Sequence, residues 1–101
     1  MTPGVVSLDD LAGEPHAAVF PGEEPKTVRL TLDAGESVPA HQHPGRTVVC
    51  HVLSGELDVT LGDDEVAVGA GEVARFDGGH AISPTAVEPS VALLVLAERP
   101  D

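Results

Sequence analysis

At 101 residues, with 42% apolar side chains, eleven glycines and nine prolines, the chain is long enough for one compact domain and too short for two. Its single cysteine, Cys50, excludes an intrachain disulfide, a four-cysteine zinc site and an iron–sulfur cluster, and suits a reducing compartment. Seventeen acidic side chains against five basic ones give a formal charge of −12, which repels nucleic acid and anionic lipid, and a chain with no Trp or Tyr lacks the usual sugar-stacking platform and any phenolic catalyst.

Turn-forming Gly, Pro, Asp and Ser recur between short Val- and Leu-rich segments, the pattern of an all-β sandwich or barrel, and no segment has helical periodicity. Residues 1–25 carry Pro3, Pro15, Pro21 and Pro25 and predict an irregular arm with an edge strand; residues 26–99 form the barrel domain. Thr27–Leu32 alternates, with Val28, Leu30 and Leu32 on one face. A second strand is expected over Ser37–His43, ended by Pro44-Gly45, and a third over Thr47–Leu53. Ser54-Gly55 turns into Glu56–Leu61, where Leu57, Val59 and Leu61 alternate in the strongest hairpin signal of the chain. Short strands follow at Glu65–Val68, Glu72–Phe76 and His80–Ser83, each behind a glycine-containing turn. The closing strand, Ser90–Ala97, is apolar on both faces and is expected at the centre of a sheet. Its apolar run Val91–Ala97 has seven residues, too few to cross a bilayer, and the expected location is the cytoplasm.

The chemistry concentrates in the histidines. His41 and His43, two apart on a predicted strand, leave the same face with Cα atoms roughly 6.5–7 Å apart, close enough for both rings to approach one ion. His80 opens another strand after a glycine loop; beside the first pair it would complete a three-imidazole set with positions left open for water, substrate or dioxygen. His16 lies in the arm and reads as a solvated residue.

The pattern Gly35, five residues, His41-Gln42-His43, four residues, Val48, six residues, Gly55 resembles the first motif of the cupin superfamily, with Val48 where a glutamate normally stands. Gly71, Asp77, Gly79 and His80 resemble the second motif, with Asp77 in a proline position, two residues missing before His80, and Pro84 in the asparagine position. The resemblance implies a small single-domain cupin: a jelly-roll β-barrel (double-stranded β-helix), often homodimeric, with a divalent metal held by His41, His43 and His80. Without the carboxylate such a centre suits Fe, Ni, Cu or Zn more than Mn. Three-histidine cupins of this kind include diketone-cleaving and thiol dioxygenases, and the absence of tyrosine weighs against the thiol branch.

The implied function is therefore a metal-dependent dioxygenase acting on a small apolar substrate such as a diketone. Two alternatives accompany it: a non-catalytic small-molecule binding or sensing cupin, and an isomerase or cyclase accessory using one histidine as a base. Secondary candidates surround the motifs. Cys50 shares a face with Val48 and reads first as buried packing; His51 faces the other way. Asp77 is a turn former that could replace the missing carboxylate, and Arg46 or Arg75 could clamp a substrate carboxylate or pair with a surface acid.

Overall fold

The computed structural model describes residues 4–99, in which one turn of 3-10 helix at Leu8–Asp10 precedes eight strands. The strands are β1 (His16–Ala18), β2 (Lys26–Leu32), β3 (Arg46–Ser54), β4 (Glu56–Leu61), β5 (Asp64–Gly69), β6 (Val73–Asp77), β7 (Ile82–Ala86) and β8 (Ser90–Glu98). They pair antiparallel in two sheets, ordered β1-β2-β8-β3-β6 and β5-β4-β7, that face each other as a jelly-roll barrel. Among the described residues no helix is long and apolar enough to cross a membrane.

Period-two alternation sends one face of each strand inward. Across the larger sheet the register sets Leu30 beside Ala92 and Val52, and Val28 beside Leu94, Cys50 and Ala74. From the smaller sheet Leu57, Val59 and Val68 close against them. Burying Leu30 and Leu57 contributes about 1.5–3 kcal/mol apiece. β8 lies between β2 and β3, which explains why it is apolar on both faces. Gly55 links β3 to β4 at φ +82°, and a methyl there would come within 2.7 Å of the Ser90 Cα, so both its backbone angle and its packing require glycine.

The outer face of β1 and β2 is covered by the N-terminal segment. Arg29, 8% exposed, donates from Nη1 to the Leu8 and Leu11 carbonyls and from Nη2 to that of Gly13, while the Thr31 amide donates to the Pro15 carbonyl. β1 forms the edge of the larger sheet, with His16 opposite Leu30.

Two expected strands differ from the structure. Ser37–His43 is extended but joins β7 only at isolated bridges, Ser37 to Thr85 and His41 to Ile82. Pro39 has no N–H to donate, and the amides on either side, Val38 and His41, reach Pro84 and Ile82, so three steps on one segment face two on the other. β7 begins at Ile82 rather than His80, because His80 closes the turn after β6 by donating its amide to the Asp77 carbonyl.

Candidate ligand pocket and histidine cluster

Between the two sheets lies a cavity of about 100 Å³. Its walls come from inward positions of β3 (Val48, Cys50), β4 (Leu57, Val59), β6 (Phe76) and β8 (Leu94, Leu96), with Leu30, Val38, Ile82 and Pro84 completing the apolar lining. The remaining lining residues are three histidines, His16, His41 and His43, and among the described residues no carboxylate contributes.

The isolated bridge fixes His41, whose amide and carbonyl both bond to Ile82, at 3.0 and 2.8 Å. Its Nδ1 lies 2.7 Å from the Pro39 carbonyl, an acceptor only, so Nδ1 carries a proton that is spent on that bond and is not available to a ligand. His43 is anchored by its amide on the Gly78 carbonyl at 2.6 Å. The two rings stand 6.5 Å apart, centroid to centroid, and tilt by 32°. Burial holds His43 below the ordinary imidazole range, helped by the positive fields of Lys26, His41, Arg46 and His16. Burial first, then His41 and Lys26, also lowers His16. Both are therefore mainly neutral at pH 7.

The structure brings His41, His43, Val48 and Cys50 to the cavity. His80 is exposed in the turn after β6 and is not among the lining residues. Asp77 accepts the Gly79 amide at 2.8 Å and pairs with Arg99 at 2.8 Å, outside the cavity; the Gly79 bond is the main cause that holds its carboxyl below the usual range, with Arg99 adding to it. Arg46 pairs with Glu24 and donates to the Leu96 carbonyl. Arg75 lines a separate polar depression with Thr47, Asp77 and Arg99, and His51 sits half-buried between Leu93 and Val73, on residues alternate to those lining the cavity. Burial pushes the Cys50 thiol up to about 11, so it presents a neutral S–H to the cavity.

Sequence reasoning sets His16 aside as solvated and does not reach Lys26. A second cavity of about 250 Å³, lined by His16, Ala18, Lys26, Val28, His43, Leu94 and Leu96, adjoins the first. Lys26 is in step with Val28 and Leu30, an alternation visible in the sequence; His16 depends on the pairing of β1 with β2, which is not local.

The donors present do not fit the three-histidine centre. Among the described residues no three His, Cys, Asp or Glu stand close enough to hold a metal ion, the motif glutamate is Val48, and His80 lies outside the cavity lining.

Residues 28–96 match the Cupin domain family, over two-thirds of the chain. The chain belongs to this family. This cupin is 31% identical over all 101 residues to a stretch of cobyric acid synthase from Mycolicibacterium paratuberculosis, but it spans only 18% of that protein's length. Among solved structures it is similar to TT1209 from Thermus thermophilus, with 28% identity, a TM-score of 0.78, and coverage of 95% of this chain and 98% of that one. A predicted oxalate decarboxylase from Thermotoga maritima is 25% identical with a TM-score of 0.72, over 83% of this cupin and 79% of that chain.

Proposed function

We propose that this cupin is a small-molecule binding module whose ligand carries an apolar body into the barrel. The observation that carries this reading is the cavity lining: apolar side chains throughout, a neutral thiol, and imidazoles confined to three residues. Such a surface offers a ligand desolvation and a few polar anchors, the usual composition of a small-molecule pocket. An apolar cavity of about 150 Å³ accommodates benzene; the inner cavity here is somewhat smaller, about 100 Å³, and the adjoining space gives a chain or ring room to extend outward. The dioxygenase reading has less support, because an oxygen-activating centre needs at least three protein donors around the metal in the arrangement the family motif implies, and only His41 and His43 of that set line the cavity.

Two measurements on the untagged chain test this. Titration of the ¹⁵N-labelled protein with 1-hexanol is expected to shift amides of Val48, Cys50 and Val59, and Val59→Phe, which fills the cavity, is expected to abolish those shifts. Metal analysis is expected to find well below one metal per chain, with no oxygen uptake on diketones or thiols. Near-stoichiometric iron together with turnover that His80→Ala removes would overturn the binding-module reading in favour of a three-histidine oxygenase.

A further inference from the structure

The two cavities share His16, His43, Leu94 and Leu96, so the apolar interior opens past a rim that bears three imidazoles and Lys26. Lys26 is the first residue of β2 and falls on the same alternation as Val28 and Leu30, which turns its side chain to the barrel side of the sheet. Among the described residues it makes no ion pair: the two ion pairs are Arg46 with Glu24 and Arg99 with Asp77. Among the described residues no Asp or Glu lines either cavity, although the molecule as a whole carries −12.

We propose that the ligand is an amphipathic anion, a short-chain or aryl carboxylate, with its apolar body in the barrel cavity and its carboxylate held at the rim by Lys26 together with His16 and His43. The inference rests on the binding reading above and adds the ligand's charge. An ammonium supplies the point charge, and the neutral imidazoles of His16 and His43 can each donate one N–H, so a carboxylate can combine an ionic contact with directed hydrogen bonds. Four basic groups gathered without a carboxylate repel one another when charged, as the mutual lowering of His16 and His43 by Lys26 reports. A bound anion removes that repulsion, whereas a cation adds to it. The overall negative charge does not override this local set, since fields from distant surface carboxylates are screened over about 8 Å at physiological ionic strength.

The test is calorimetric and NMR titration of the full chain at pH 7.5 with three probes of one chain length: hexanoate, 1-hexanol and hexylamine. Hexanoate is expected to bind at least tenfold more tightly than hexanol, hexylamine more weakly than either, and hexanoate affinity to fall as sodium chloride rises to 0.5 M. Lys26→Met, at an exposed position where the fold is not at stake, is expected to bring hexanoate down to the level of hexanol. Hexanol binding as well as hexanoate, or hexanoate affinity retained in Lys26→Met, would overturn the anion proposal while leaving the binding reading in place. If no probe shifts the amides of the cavity walls, both fall.

Discussion

Gly78 and His43 lock each other in place across the turn after β6. The His43 amide donates to the Gly78 carbonyl at 2.6 Å, and a methyl group added to Gly78 would collide with the His43 carbonyl and come within 2.6 Å of that of Arg46. The Gly78 amide in turn donates to the Arg46 carbonyl at 2.9 Å. Both obstacles to a side chain are backbone atoms, which cannot swing aside as a flexible side chain would. Gly78→Ala should therefore lower stability by about 1–3 kcal/mol and displace the His43 ring from the rim. Gly79→Ala meets only the Asp77 carboxylate, at 3.2 Å, and should cost less. Urea midpoints and the imidazole resonances of His43 in the two variants check this; equal effects would show that the close approach of Gly78 is not what positions His43.

The parts of this arrangement that were legible in the sequence are local ones. Leu57, Val59 and Leu61 alternate behind a Ser-Gly turn, and β4 runs over Glu56–Leu61 as that pattern requires. The unbroken apolar run of β8 announces burial on both faces, which its place between β2 and β3 supplies. Other features depend on pairing between distant segments. Whether Ser37–His43 becomes a strand is decided by how Pro39 interrupts its pairing with residues 82–85, and His16 gains its importance from lying opposite Leu30. His80 follows two glycines and closes a turn, so its motif position alone did not reveal which way it would lie relative to the cavity. Lys26 was readable from simple alternation, but a lone lysine at a strand end is ordinarily a solvated residue and attracts no notice until the cavity beside it is seen.

Arg29 ties the N-terminal segment to the barrel through three backbone carbonyls, with no carboxylate opposite, and its Nε is buried without a partner among the described residues. Hydrogen bonds from a charged donor contribute about 1.5–3 kcal/mol, partly offset here by the buried Nε. Arg29→Met keeps much of the packing and removes the donors, and it should lower stability by about 1–2 kcal/mol. The loss should be concentrated in the arm: amide hydrogen exchange at Leu11 and Thr31 should quicken well before that at Val52 or Val59. Uniform acceleration across the barrel would mean that the arm and the barrel open as one unit.

Cys50 is 2% exposed, and its thiol is pushed up to about 11 by burial, so at pH 8 it is both shielded and protonated. A thiol-reactive disulfide reagent should leave the native protein essentially unmodified over minutes and react with one equivalent after unfolding in guanidinium. Cys50→Ser places a hydroxyl among apolar groups and should cost about 1–3 kcal/mol, whereas Cys50→Val should be tolerated. Rapid labelling of the native protein would show that the cavity opens readily enough to admit the reagent.

His16 and His43 are held below the ordinary imidazole value, first by burial and then by neighbouring positive groups. In the unfolded chain both titrate near 6.5, so just below that value the unfolded state carries more protons than the folded one. Stability must then rise with pH in this window: it is fully present above about pH 7.5 and is lost as pH falls through 6.5 toward the lowered folded values. The carboxylate window near pH 4 lies lower and is separable. Urea unfolding at intervals from pH 5 to 8 should show the midpoint falling below neutrality, and the double variant His16→Gln/His43→Gln should flatten that limb. A limb of unchanged slope in the variant would place its origin outside this pair.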